Sequence, residues 1–161
     1  MDTSGATPGA DRYGQSVDGL TVGHRLMAAG EYDLALRAYI RAASELGIDA
    51  DVLSAIGSAN LKLGRLGQAE QMLTRALEMD PDFVPALNNL GVVLMERGKD
   101  GEAKRVFQRA FALDSGNSDS IRENLRLAIA RTEKPDYDED NRTNNFSLVR
   151  RGAGEYLLLS N

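Results

Sequence analysis

Residues 84–117 read VPALNNLGVVLMERGKDGEAKRVFQRAFALDSGN and contain two short apolar patterns separated by Gly98. The first pattern repeats at i, i+3, i+4 and i+7, the spacing of one apolar helix face, and consists of Leu87, Leu90, Gly91 and Leu94. The second pattern has the same periodicity and consists of Ala103, Val106, Phe107, Ala110 and Phe111. The stretch therefore predicts a helical hairpin, and one hairpin cannot bury its apolar face alone.

Two further copies of this hairpin precede it at a period of 34 residues, the repeat length of tetratricopeptide arrays. Gly98 aligns with Gly64 and Gly30. Four other positions keep their size class in all three copies: Gly91, Gly57 and Gly23; Ala103, Ala69 and Ala35; Ala110, Ala76 and Ala42; and Phe107, Leu73 and Tyr39. Small residues recur where two helices approach closely, and large apolar residues recur where they fill the space between the helices.

The chain therefore resembles the tetratricopeptide repeat (TPR) family over residues 16–117, in repeats 16–49, 50–83 and 84–117. The resemblance implies an all-α fold, a right-handed α-solenoid of three helix pairs. The expected helices are 17–29, 32–46, 50–63, 66–79, 84–97 and 100–113. Two departures stand out: Gly19 replaces a large residue, which predicts a late or frayed first helix, and Asn60 replaces the usual tyrosine, which predicts a semi-buried amide that needs partners.

The segments on either side of the repeats differ from them in composition. Residues 1–16 are small and polar, which predicts a disordered lead before a solenoid at 17–132. Residues 118–132 form an amphipathic stretch with one polar face, the pattern of a capping helix. Residues 133–145 form an acidic linker. Residues 146–161 read FSLVRRGAGEYLLLSN and predict an extended or β-hairpin-like tail.

The tail is expected to dock because two strands alone are marginal in water and its exposed leucines favour aggregation. Its docking residues are predicted to be Phe146, Leu148, Tyr156 and Leu158. Three partners are open: this chain's own surface, a second copy in a homo-oligomer, or the sheet edge of another protein.

Composition excludes several classes of function. The net charge is −5 and the isoelectric point is near 4.9, and no basic stripe is available to neutralise phosphates, so nucleic acid is not an expected partner. No apolar run approaches the ~20 residues that span a bilayer. The chain has no cysteine, so disulfide and thiol chemistry are absent.

Catalytic and metal-binding patterns are also missing from the sequence. The single histidine, His24, has Ala28 at i+4 and so lacks a second metal ligand at helical spacing. Asp136, Asp138 and Asp140 resemble the opening of a calcium loop, but the glycine and glutamate that such a loop needs are absent, which favours a solvated acidic linker. We expect no enzyme, no metal and no cofactor.

Binding of a protein partner is the class of function that is left. The TPR resemblance implies a concave groove lined by the first helix of each repeat. By family register the groove would contain Leu20, His24, Met27, Ser54, Ser58, Leu61, Asn88, Asn89, Val92, Met95, Arg122 and Arg126. Methionine is an adaptable contact residue, asparagine can bond to a peptide backbone, and paired arginines can hold a carboxylate.

Simpler interpretations remain open for four of these residues. Met27 and Met95 would also serve as gap fillers beneath neighbouring helices. Arg122 and Arg126 would also pair with local acids, Asp119 or Glu123.

Some TPR modules hold the C-terminal carboxylate of chaperones with a lysine and asparagine clamp. Leu20 and His24 stand where that clamp has its Lys and Asn, so a cochaperone role is rejected.

Residues 20–132 also resemble the small TadD lipoproteins of bacterial tight-adherence (Flp) pilus systems. The similar phrases are LMAAGEYDLALRAY, LGRLGQAE, NNLGVVLMERG and SDSIRENLRLAIAR. The resemblance implies a factor that assists assembly of the pilus secretin, in the periplasm at the outer membrane, through a signal and lipid-anchor cysteine missing from this sequence. The alternative is a cytoplasmic TPR adaptor that starts at Met1 and has an unrelated protein ligand.

Overall fold

The computed structural model describes residues 12–133, which form seven α-helices. The helices are α1 (Arg12–Ala28), α2 (Tyr32–Leu46), α3 (Ala50–Lys62), α4 (Leu66–Met79), α5 (Val84–Glu96), α6 (Asp100–Asp114) and α7 (Asp119–Glu133). Each helix packs on the next along the chain, and α5 also packs on α3 and α7. The described part of the chain is thus the predicted all-α solenoid, with three hairpins and a terminal helix.

Two expectations about the first helix were wrong. It begins at Arg12, within the segment predicted to be a disordered lead, because helix propagation adds one hydrogen bond for each residue that is ordered. It also continues through Gly19 without interruption. A β-carbon added to Gly19 would lie 3.2 Å from the Ala42 β-carbon, so the glycine allows α1 and α2 to approach closely.

Each hairpin is held by a large side chain of its second helix lying against a glycine of its first helix. A β-carbon built on Gly91 would lie 2.4 Å from Phe107 Cε1. A β-carbon built on Gly57 would lie 2.6 Å from Leu73 Cγ, and one built on Gly23 would lie 2.2 Å from Tyr39 Cε1. The three large residues are at most 1% exposed. The 34-residue period therefore reflects one packing contact that occurs in each of the three hairpins.

The turns within the hairpins also repeat. Gly64 has φ +75° and closes α3, and the Arg65 amide donates to the Asn60 carbonyl at 2.9 Å. The Lys99 amide makes the corresponding bond to Leu94 at 2.8 Å in the third hairpin. This is the Schellman pattern, which pairs carbonyls that a helix end leaves open and requires a left-handed residue, usually glycine.

We expect Gly64→Ala to lower the free energy of unfolding by about 1 kcal/mol, because an L-residue is strained at positive φ. Gly67→Ala is the matched control: Gly67 lies in α4 and a β-carbon there meets nothing within 4 Å. That control should raise stability by up to about 1 kcal/mol, because alanine is the better helix former. Urea denaturation followed by circular dichroism measures both, and equal effects of the two substitutions would contradict the assignment.

Candidate functional site

The predicted groove residues lie on α1, α3, α5 and α7, and we call their combined surface the inner face. It comprises Leu20, His24, Met27, Ser54, Ser58, Leu61, Asn88, Asn89, Val92, Met95, Arg122 and Arg126. The structure gathers Leu61, Val92 and Met95 into one apolar cluster, which spans the second and third hairpins. Leu20 and Met27 pack in a separate cluster within the first hairpin and the start of the second. Contact of the inner face with a partner stays a prediction.

Exposure varies strongly along the inner face. Six of its residues are at most 6% exposed: Ser54, Leu61, Asn88, Asn89, Val92 and Met95. Leu20, His24, Met27, Ser58 and Arg122 are half-buried, and Arg126 is exposed. The face is thus more accessible at its two ends than at its middle.

Asn89 links α5 to α3 through a chain of polar groups. Its Nδ2 donates to Ser58 Oγ at 2.7 Å, and Ser58 Oγ in turn donates to the Ser54 carbonyl at 2.9 Å. Because Nδ2 is engaged, the orientation of the amide is determined and Oδ1 is left as an acceptor. That oxygen is buried and has no hydrogen-bond partner. A buried acceptor without a hydrogen-bond partner costs free energy.

Asn88 and Asn124 form a second polar contact, between α5 and α7. Asn124 Nδ2 donates to Asn88 Oδ1 at 3.0 Å, and both side chains are buried. Asn124 is not among the residues predicted to line the groove. Shifting the capping helix by 34 residues aligns Asn124 with Leu90. A polar residue at a register position that is apolar in the preceding repeat is the sequence signal for this contact.

The Asn60 amide, which was predicted to be semi-buried and to need partners, is hydrogen-bonded within its own helix. It is 6% exposed, and its Nδ2 donates to the Ile56 carbonyl at 3.0 Å, one helical turn earlier. The predicted need for a partner is thus met within α3, and this amide makes a contact that is separate from the two amide contacts of α5.

His24 lies against Tyr39 at the first-hairpin end of the inner face. Its Nδ1 is 2.8 Å from the Tyr39 hydroxyl, and the two rings meet edge to face. Burial, and secondarily the negative charge of Asp51, raises the pKa of Tyr39, so the phenol keeps its proton. The hydroxyl can therefore donate to Nδ1, and neutral His24 then carries its own proton on Nε2.

The two α7 arginines predicted to line the groove, Arg122 and Arg126, pair with local acids, which supports the simpler of their two interpretations. Arg122 contacts Asp119 and the Gly116 carbonyl, and Arg126 Nη1 lies 2.7 Å from Glu123 Oε1. Pairs between exposed groups contribute little free energy, so a stronger anion could still exchange with these acids.

A third arginine of α7, Arg131, makes a less exposed ion pair that the sequence did not predict. Its Nη1 lies 3.7 Å from Asp100 Oδ1, and the two side chains are only 12% and 11% exposed. The pair ties the last turn of α7 to the first turn of α6. No spacing rule in the sequence identifies it, because the two residues belong to different helices.

Residues 12–133 contain no group of three metal-ligating side chains, and none of their helices is long and apolar enough to cross a bilayer. The acidic positions Asp136, Asp138 and Asp140 lie outside the described residues. The predicted docking residues of the tail, Phe146, Leu148, Tyr156 and Leu158, also lie outside them.

Two curated proteins show the sequence similarity of this chain. It is 37% identical over 90 residues to Tetratricopeptide repeat protein 8 of Caenorhabditis elegans, a match that covers 55% of this chain and 18% of that protein. It is 38% identical over 66 residues to Cellulose synthase 1 operon protein C of Komagataeibacter xylinus, covering 41% of this chain and 5% of that protein. The chain thus spans only a small part of these relatives.

Solved structures share the fold at lower identity. The Sgt2 TPR domain from Aspergillus fumigatus superposes with a TM-score of 0.71 and 22% identity, over 77% of this chain and 83% of that chain. The first TPR of Spaghetti (RPAP3), bound to the HSP90 peptide SRMEEVD, gives a TM-score of 0.70 and 19% identity, over 77% and 99%. The Thermobaculum terrenum O-GlcNAc transferase mutant K341M gives 0.70 and 22%, over 74% and 23%.

A family model matches a larger part of this chain than either of the two curated relatives. The model described as Tetratricopeptide repeat matches residues 26–90 and again residues 60–120, which together cover more than half of the 161 residues. These two overlapping matches include α2, α4 and α6, the helices whose large side chains contact the glycines. They also include most of the inner face. The chain belongs to the tetratricopeptide repeat family.

Proposed function

We propose that this protein is a non-catalytic scaffold that binds an extended segment of a partner protein along its inner face. TPR domains generally mediate protein–protein interaction, and structural neighbours such as the first TPR of Spaghetti bind peptides. The observation that carries the proposal is the Asn89 Oδ1 atom, a buried acceptor that lacks a donor. In this proposal a main-chain N–H of a bound peptide supplies the missing donor after the side chains that cover this atom move aside.

The chemistry of the described residues supports binding over turnover. The Nδ1 atom of His24, the single histidine, lies 2.8 Å from the Tyr39 hydroxyl, and the described helices contain no group of three His, Cys, Asp or Glu side chains that could hold a metal ion. The half-buried apolar side chains of Leu20 and Met27 supply surface for side chains of a partner, at roughly 25 cal/mol for each Å² buried, less the cost of ordering the peptide.

The partner that we propose is a segment of a pilus secretin, as for the TadD lipoproteins that residues 20–132 resemble. In this proposal the mature protein resides in the periplasm at the outer membrane and is held there by a lipid anchor. A cytoplasmic adaptor with an unrelated protein ligand is the alternative. Mass spectrometry of the N-terminal peptide from the native host separates them: a lipidated cysteine ahead of Asp2 supports the first, and a terminus at Met1 supports the second.

A chaperone tail is not the proposed ligand, although Spaghetti and other neighbours carry such peptides. Leu20 and His24 occupy the positions where that clamp has a lysine and an asparagine. An aliphatic side chain and a histidine bound to Tyr39 cannot reproduce the charge of the lysine.

We expect Asn89→Ala to weaken binding of the partner about tenfold, which corresponds to about 1.4 kcal/mol, because it removes the acceptor for the peptide N–H. The probe is a synthetic peptide of the secretin's C-terminal segment from the same host, measured by fluorescence anisotropy. The control is Gln108→Ala, an exposed polar residue on the outer helix α6.

The double variant Arg122→Ala with Arg126→Ala tests the other end of the inner face. It should weaken binding further if the peptide presents a carboxylate there, because the arginines would exchange their local acids for it. Unchanged affinity in both this variant and Asn89→Ala would rule out the inner face as the binding site. Absence of any binding by the unaltered protein would instead rule out the secretin segment as partner.

A further inference from the structure

The edge of the solenoid where one hairpin joins the next carries most of the exposed apolar side chains. Successive helices pack on each other through short connections and so run in alternate directions, which places the connections between hairpins at one edge and the turns within hairpins at the other. We call the first the loop edge; it consists of residues 44–49, 78–83 and 111–119. Among the described residues, it holds five of the eight large apolar side chains that are exposed: Leu46, Ile48, Met79, Phe111 and Leu113.

The loop edge is also acidic along its whole length. Its three segments contain no lysine, arginine or histidine, and they contain seven carboxylates: Glu45, Asp49, Glu78, Asp80, Asp82, Asp114 and Asp119. The opposite edge, which we call the turn edge, consists of residues 29–33, 62–66 and 96–100 and contains four acids and four bases. The two edges therefore differ both in charge and in exposed apolar surface.

Local contacts explain only part of this acidity. Three of the seven carboxylates accept hydrogen bonds from main-chain amides, and two pair with Arg109 or Arg122. Glu45 and Glu78 are exposed and form no hydrogen bond or ion pair within the described part of the chain. They lie in the last turns of α2 and α4, where the helix macrodipole favours a cation over a carboxylate. Helix stability therefore does not account for these two residues.

We propose that the loop edge is a second interaction surface, which binds a basic amphipathic helix of a partner protein. The exposed side chains, which include Leu46, Met79 and Leu113, suit the apolar stripe of such a helix. Glu45 and Glu78 suit lysine or arginine side chains beside that stripe. The same charge disfavours other occupants, because a second copy of this edge, a nucleic acid and an anionic membrane surface are all negative.

The length of the loop edge fits a short helix. The first turns of α3, α5 and α7 lie at this edge, and the three helices pack in that order. Packed helices lie about 8–10 Å apart, so the three helix starts span roughly 20 Å. A helix rises about 1.5 Å for each residue, so about 14 residues of a partner cover the edge.

A designed peptide tests this surface on the full chain. The peptide is a helix of about 14 residues with one leucine stripe flanked by lysines, and fluorescence anisotropy measures its affinity. We expect Glu45→Gln with Glu78→Gln to weaken binding about fivefold, because two contacts between opposite charges are lost. Met79→Ser with Leu113→Ser should weaken it about tenfold, because less apolar surface is buried. Circular dichroism checks that each variant keeps the helical fold.

Matched control variants lie away from the loop edge. Glu31→Gln with Glu102→Gln makes the same change of charge at the turn edge and at the start of α6. Val22→Ser with Leu34→Ser removes two side chains of similar exposure, 45% and 47%. Both controls, and Asn89→Ala on the inner face, should bind the designed peptide as tightly as the unaltered protein does.

Several results would overturn the proposal. These are no binding of the peptide, equal losses in the loop-edge and control variants, or equal affinity for a peptide with glutamate in place of every lysine. Self-association of the chain that Met79→Ser with Leu113→Ser abolishes would assign the edge to a contact between copies instead. The proposal does not rest on the proposed function, because Asn89→Ala and the secretin peptide test the inner face separately.

Discussion

We expect Phe107→Ala to lower the free energy of unfolding by about 3–5 kcal/mol, the cost of a phenylalanine truncated in a packed core. Phe107 is 1% exposed and lies directly over Gly91, where the first helix of the hairpin has no side chain to move into the space. Chemical denaturation of the full chain, with the slope of the transition checked against the unaltered protein, measures the loss.

Phe111→Ala provides the matched control on the same helix. Phe111 is 37% exposed, so its truncation should cost about 1 kcal/mol or less. Gly91→Ala alone should cost about 1–3 kcal/mol by overpacking, and less when it is combined with Phe107→Ala, because the ring that it meets is gone. Strictly additive effects would contradict the contact between the glycine and the ring.

The second large effect is expected at the Arg131–Asp100 pair. Arg131→Ala should lower the free energy of unfolding by about 3 kcal/mol, because it leaves the Asp100 carboxylate mostly buried beside the start of α6 without its cation. The value is taken from the low end of the range for broken buried pairs, since the 3.7 Å separation is too long for a hydrogen bond. Hydrogen exchange in α7 should accelerate along with the loss.

Arg126→Ala is the control for this pair on the same helix. Arg126 is 71% exposed beside Glu123, so its removal should cost less than about 1 kcal/mol. The double variant Arg131→Leu with Asp100→Leu should recover most of the loss, because no charge is then left buried. If Arg131→Ala and Arg126→Ala cost the same, the Asp100 pair does not hold α7 in place.

The helices were predictable because their determinants are local and repeated. Six of the seven begin within one residue of the expected position, since apolar spacing and the glycines at turns act within one hairpin. The start of α1 was missed because its first residues carry no apolar pattern, yet they extend a helix that is already nucleated. The pairing of Gly91 with Phe107 was anticipated as a small residue opposite a large one.

The site was less predictable, because its contacts join residues far apart in sequence. Register alone placed Asn88 and Asn89 on the inner face, but it could not say which amide faces Ser58 and which faces Asn124. Adjacent asparagines on a helix point about 100° apart, so each meets a different neighbouring helix. Which neighbours lie there depends on how the hairpins stack.

The sequence by itself determined the repeat, the helices and the glycine contacts, because each depends on residues within one 34-residue unit. Only the tertiary structure decided which polar groups are paired. It joined Arg131 to Asp100 and Asn124 to Asn88, and it left Asn89 Oδ1 without a donor. Hydrogen bonds and ion pairs require distances near 3 to 4 Å, and such distances between separate helices are set by packing rather than by spacing along the chain.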